Sequence, residues 1–220
     1  MSTDIENIIM QHYNFFETKI WIDRIDNIDN ENLKKKILNF SREQKTINIS
    51  NVGGYQGHEF YNEEWYKIIC KKIPFREDKP IKNFIIDSWV NINGRGHYNN
   101  VHDHVCERID PEETDIFLSG VYYVSVPENS GDIVFHDIRG PSRSKMLYHQ
   151  YYLDGVTYNK IQPKKKMLIF FPPWLEHSVD VNMSDESRIS IAFNVRFKNK
   201  PLNITNQKID KIKNTFISYC

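Results

Sequence analysis

Four shortages bound what this 220-residue chain can be. Charge of one sign is missing: Lys+Arg and Asp+Glu are both 29. A nucleic-acid binder usually carries a basic excess, so nucleic acid is not expected as a partner, although a local basic patch stays open. Cysteine is scarce, and Cys70, Cys106 and Cys220 include no CxxC pair. That argues against a disulfide framework and for a reducing, cytoplasmic setting. No apolar stretch approaches the length of a membrane span. The start MSTDIENIIMQHYNFF lacks the basic-then-apolar pattern of a secretory leader. The Asn-x-Ser/Thr triplets at Asn48, Asn182 and Asn203 are then not expected to carry glycans. Repeats and low-complexity linkers are also absent, which leaves a single domain spanning residues 1–220. What is present suits a globular protein: 40% hydrophobic and 13% aromatic residues, in a chain long enough to bury a core.

Residues 14–25 are apolar and aromatic and predict a strand. Asp29 is placed to cap a helix reaching Ser41, with Leu33, Ile37 and Phe40 on one face. Asn62 is placed to cap a second helix, with Glu63 and Glu64 in its first turn and Lys71 and Lys72 in its last. That order of charge suits the helix dipole, and Pro74 ends the helix. Residues 49–56 read as a loop hinged at Gly53-Gly54. From Ile81 the pattern changes to short strands, at about 81–92, 117–126, 132–136, 158–161, 167–171, 175–179 and 189–197. Glu128-Asn129-Ser130-Gly131 predicts a hairpin turn between two of them. The fold class is mostly β with flanking helices, a jelly-roll sandwich or barrel. An N-terminal strand and buttressing helices (1–80) precede the β core (81–198), and a helical tail (199–220) follows. Lys164-Lys165-Lys166 is a solvated turn between strands.

Two features carry chemistry. The last strand alternates, with Ile189, Ile191, Phe193 and Val195 on one side and Arg188, Ser190, Ala192 and Asn194 on the other. An arginine heading a half-buried face needs a partner, so this face is expected to line a cavity that holds an anion. His102-Asp103-His104 places two imidazoles on one side of an extended segment. With a third ligand from a distant strand they would make a facial metal site with open positions, and imidazole suits iron, zinc, copper or nickel.

Several stretches occur in a fixed order: His102-x-His104, SGVYYV at 119–124, NSGDIVF at 129–135, IFFPPWLEH at 169–177 and RIS at 188–190. The arginine follows His177 by eleven residues (188 − 177 = 11). In this combination the chain resembles the Fe(II)/2-oxoglutarate-dependent oxygenase superfamily, and within it the prolyl-hydroxylase-like branch. It is most similar there to a group of uncharacterised bacterial and phage 2-oxoglutarate/Fe(II) oxygenases. The resemblance runs over residues 88–197, and SNVGGYQ at 50–56 adds to it.

The resemblance implies a double-stranded β-helix (jelly roll, cupin-like). It implies His102 and His177 as metal ligands and Arg188 as the anchor for the far carboxylate of 2-oxoglutarate, assisted by Ser190 and Tyr123. The implied cofactors are Fe(II), 2-oxoglutarate and O2, with ascorbate as a reductant. The implied activity is hydroxylation of a small-molecule or peptide substrate with decarboxylation of 2-oxoglutarate to succinate; halogenation and desaturation are other outcomes. No membrane partner is expected, and there is room for a homodimer.

At position 104 the superfamily usually has a carboxylate, and here stands histidine. We take His104 as the third ligand and count it with His102 and His177 as catalytic. Two alternatives stay open: a carboxylate such as Asp103 or Asp137 swings in, or the place is vacant. The rival class is a cupin-like three-histidine dioxygenase or metal-binding module that does not use 2-oxoglutarate; a jelly roll without catalysis is a third. Asn91 and Asn194 are expected in the cosubstrate cavity. Trp89 is expected in the core and His97 in an exposed loop. His136 and His149 have no partner that the sequence names. Pro172-Pro173 and Trp174 are expected to shape the entry to the His177 strand, and residues 139–155 to cover the site.

Overall fold

A computed structural model of the chain describes residues 17–47, 49–75, 84–105, 116–137 and 158–197. Two antiparallel sheets face each other, as the jelly-roll expectation requires. The elements in chain order are β1 (Trp21–Arg24), α1 (Asn30–Glu43), β2 (Asn51–Val52), β3 (Tyr55–His58), α2 (Glu63–Lys72), β4 (Phe84–Asn93), β5 (Tyr98–His102), β6 (Ile116–Ser125), β7 (Ile133–His136), β8 (Tyr158–Ile161), β9 (Met167–Phe171), β10 (His177–Val179) and β11 (Arg188–Phe197). The six-stranded sheet runs β1-β9-β6-β11-β4-β3 and the five-stranded sheet runs β2-β5-β10-β7-β8.

β11 is the spine of the larger sheet, paired over its length with β4 on one side and β6 on the other. Its apolar face, Ile189, Ile191, Phe193 and Val195, packs with Ile37 of α1 and with Trp65 and Ile69 of α2 in one core. Its other face looks between the sheets, where Val121, Tyr123, Ile133, Phe135, Phe171 and Leu175 form a second core. Period-two alternation therefore divides the two cores, and Arg188 falls on the inter-sheet side.

The helices start where the caps predict. Asp29 accepts hydrogen bonds from the backbone N–H of Glu31 and Asn32, and the Asn62 side chain accepts from Trp65 N–H at 3.0 Å. Asn30 then fastens α1 to β6: its amide donates to the Val124 carbonyl at 2.8 Å and its carbonyl accepts from the Tyr122 hydroxyl at 2.6 Å. The predicted loop at 49–56 contains two short strands, β2 and β3, with Gly53 between them at φ 79. β1 and β10 are shorter than the stretches expected to hold them. The covering segment expected at 139–155 and the tail expected at 199–220 lie outside the described residues, as does His149.

Candidate metal centre

His102 ends β5, His104 lies two residues on, and His177 opens β10. β5 and β10 are neighbours, and His102 pairs directly with His177. Ring centroids are 4.3 Å apart for His102–His177, 4.9 Å for His104–His177 and 5.5 Å for His102–His104. One nitrogen from each ring lies within 4.8 Å of the others, a grouping that can hold one metal ion.

The hydrogen bonds settle which nitrogen each ring offers. His102 Nδ1 lies 2.7 Å from the Asn100 carbonyl, and His177 Nδ1 lies 2.9 Å from the Leu175 carbonyl. A carbonyl only accepts, so both Nδ1 atoms carry the proton and both Nε2 lone pairs are left for a metal. His104 is held from behind in the same way. Its Nδ1 is 2.8 Å from Asn194 Oδ1 and 2.8 Å from Ser119 Oγ, while the Ser119 hydroxyl donates to the same Asn194 oxygen at 2.8 Å. Burial lowers the basicity of all three rings, and proximity to the other imidazoles adds to it for His104 and His177. His104 falls to about 4, and His177 well below its ordinary value. The rings are therefore neutral at pH 7, the form that ligates metal.

Neither Asp103 nor Asp137 joins this group. Asp103 is exposed and accepts the Val105 backbone N–H at 3.0 Å.

Beyond the triad a narrow cavity runs between the sheets to Arg188. Arg188 is 2% exposed, Ser190 6% and Tyr123 2%, and all three line it. Arg188 Nη1 donates to the Ser130 carbonyl at 2.8 Å and the Gly131 carbonyl at 3.3 Å. The β6–β7 turn aims those carbonyls, and its Gly131 sits at φ 89 against the Asp180 backbone, a place closed to any side chain. Among the described residues no carboxylate forms an ion pair with Arg188. Its basicity is lowered by burial and partly restored by Tyr123, Asp180 and Asp132. Burial pushes the Tyr123 phenol up while Arg188 pulls it down; the net is upward, so it is a protonated donor. A buried guanidinium with spare donors, beside a hydroxyl and a phenol, fits a carboxylate.

The cavity also takes Asn91, as expected, together with Trp89 and Asn99. Trp89 is half-buried and lines the cavity rather than lying in the core, because its side of β4 faces between the sheets. Asn194 shares the Arg188 face but does not line the cavity; it reaches His104 instead. His97 accepts from Gly94 N–H at 3.0 Å and stays in its loop. His136 finds Ser178 Oγ at 2.9 Å.

The sequence reading missed Ser119 and Asn99. Ser119 lies on the same side of β6 as Val121 and Tyr123, so its face was legible. Asn99 was not. Val179 pairs with Asn99 while His177 pairs with His102, so β5 spends three steps against two of β10. This bulge brings Asn99 and His102, three residues apart, to one cavity.

Residues 87–194 match the family described as "Putative 2OG-Fe(II) oxygenase". Among solved structures the chain is similar to a Pseudomonas putida prolyl-4-hydroxylase, with 13% identity, a TM-score of 0.56, and coverage of 82% of this chain and 93% of that one. It is similar to a viral collagen prolyl hydroxylase from Paramecium bursaria Chlorella virus-1, solved as a 2-oxoglutarate complex, at 19% identity and TM-score 0.52, covering 80% and 96%. It is similar also to HygX from Streptomyces hygroscopicus with nickel, 2-oxoglutarate and hygromycin B bound, at 8% identity and TM-score 0.55, covering 82% and 84%. At these identities the likeness is one of fold. No curated protein sequence matches the chain.

Proposed function

We propose that the chain, whose residues 87–194 match the 2OG-Fe(II) oxygenase family, is such an oxygenase in which His102, His104 and His177 hold the iron while Arg188 anchors 2-oxoglutarate. The enzyme is a 2-oxoglutarate-dependent oxygenase with Fe(II) and 2-oxoglutarate as cofactors. The observation that carries the assignment is an imidazole triad and a buried arginine, with no ion pair to it among the described residues, lining one cavity. A cupin-like centre without 2-oxoglutarate would have no use for that arginine.

Bound together, Fe(II) and 2-oxoglutarate supply the activation of O2 that ends in succinate, CO2 and an oxidised substrate. The residues of the chain do the rest. The Nδ1 protons of His102 and His177 stay on backbone carbonyls, and that of His104 stays on Asn194, so each ring is fixed in tautomer and angle. Arg188 offers its free N–H groups, and Ser190 and Tyr123 their O–H groups, to the far carboxylate. Asn91 and Asn99, which also line the cavity, are assigned to hydrogen-bond the near end of the cosubstrate. Ile133, Phe171 and Val121 exclude water from the space between. We assign hydroxylation as the reaction and a peptide or small molecule as the substrate class.

Anaerobic addition of Fe(II) and 2-oxoglutarate should give a weak visible charge-transfer band, and admitting O2 should release succinate. Arg188→Ala should weaken 2-oxoglutarate about 10–100-fold, the loss of a charge-assisted pair of bonds. A band and succinate yield unchanged in Arg188→Ala would overturn the anchor.

A further inference from the structure

The cavity between the sheets is not the only space at the triad. A broader hollow of about 650 Å³ is lined by His102 and His104, by β3 and the turn after it, and by parts of β4 and β11. Trp89, His102 and His104 line both spaces, so an occupant of the hollow comes within reach of the metal ligands.

The hollow carries a net negative charge. Four ordinarily charged side chains line it: Glu59, Asp87, Asp103 and Arg196. Arg196 and Asp87 neutralise each other at 2.6 Å. Glu59 and Asp103 have no ion-pair partner among the described residues, and Asp103 has only the Val105 N–H. His58 adds no positive charge at pH 7, because burial lowers its basicity. Its ring stacks on Trp89 at 5.9 Å.

The surroundings of Glu59 are fixed. Its backbone is left-handed at φ 60, a region disfavoured for a residue with a Cβ. The next residue is clamped to β4: Phe60 N–H donates to the Ser88 carbonyl at 3.2 Å, and the Ser88 hydroxyl donates back to the Phe60 carbonyl. Phe60, Ile86 and Trp89 give the hollow an apolar wall, and Tyr61, 66% exposed, lines it as Glu59 does. A carboxylate and an exposed aromatic ring lining one hollow with an apolar wall suit an aliphatic stem that ends in a cation.

We propose that this hollow is the substrate groove and that the substrate enters it as an aliphatic chain bearing an ammonium or guanidinium group. The stem lies along Trp89 and Phe60, and the charged end is met by Glu59 and Tyr61. Asp103, on the triad side, holds the field negative along the path. The proposal rests on the oxygenase reading for the fate of the bound chain, not for its binding.

The test is calorimetric titration, with and without Mn(II) and 2-oxoglutarate, of n-pentylamine, a blocked lysine-containing pentapeptide, and uncharged isosteres of both. At least one cationic probe should bind tenfold or more tighter than its isostere. That preference should fall about tenfold in Glu59→Gln and further in Glu59→Gln/Asp103→Asn, and should weaken with added salt. A stronger response to the peptide assigns a protein substrate; a stronger response to the amine assigns a small molecule. Equal binding of isostere and cation, or a preference that survives the double substitution, would overturn the proposal. Failure of Mn(II) and 2-oxoglutarate to bind, with the cation preference intact, would instead overturn the oxygenase reading.

Discussion

His104 is the residue on which the centre turns, and Asn194 is what fixes it. Removing the acceptor behind a ligating imidazole typically lowers metal affinity 10–100-fold, so Asn194→Leu should lose that much in a competitive Mn(II) titration. His104→Asp should keep metal binding, because the Asn194 amide can turn and donate where it now accepts. Protons compete for the same ring. His104 has a folded value of about 4 against an ordinary 6.5. The unfolded chain therefore binds more protons between those values, and stability of the metal-free protein is full above about pH 6.5 and falls as pH drops toward 4. The loss is roughly 2–3 kcal/mol for this ring alone. Urea midpoints at pH 7 and pH 4.5 should differ in the wild type, and the difference should shrink in His104→Asn. Little of this was legible beforehand. Alternation placed Asn194 on the Arg188 face, but it gives a direction and not a depth, so the residue read as cavity wall. The helix caps Asp29 and Asn62 were legible because a cap is a contact between near neighbours in sequence.

At the scale of elements, β6 and β11 tie the site to the rest of the fold. A side chain at Gly120 of β6 would come within 2.5 Å of the Phe193 ring and 2.9 Å of the Ile169 carbonyl. Gly120→Ala should cost about 1–3 kcal/mol in urea unfolding, since the core has no room to yield. Asn30→Leu in α1 removes the clamp on the same strand and leaves the buried Tyr122 hydroxyl without its partner. A loss of about 1–3 kcal/mol is expected, with the metal site intact as read by Mn(II) binding. Most strands were legible from their hydrophobic periods, but β2 and β3 fall in or beside a stretch that reads as a loop, and neither β5 nor its bulge was announced. A bulge is set by pairing with β10, more than seventy residues away (177 − 102 = 75), and no local signal announces it.

For the whole molecule, the order of strands follows from burial. Helices cover one face of the six-stranded sheet, the second sheet covers the other, and the polar side chains between the sheets line the cavity assigned to the cosubstrate. The alternation of β11 announced this division from sequence, while the hollow beside Trp89 is made by four segments distant in the chain and was not announced. The two halves of the centre also hang on unequal supports. Arg188 and Ser190 ride on a ten-residue strand with long partners on both sides; His102 and His177 ride on strands of five and three residues, next to a β2 of only two. Amide hydrogen exchange should therefore show β11 among the slowest segments, opening only with global unfolding, and β5 and β10 exchanging through cheaper local openings. The histidine strands can then part and re-form while the arginine strand stays folded. Iron loss should then be a reversible local event, leaving a demetallated molecule that is still folded and ready to be reloaded.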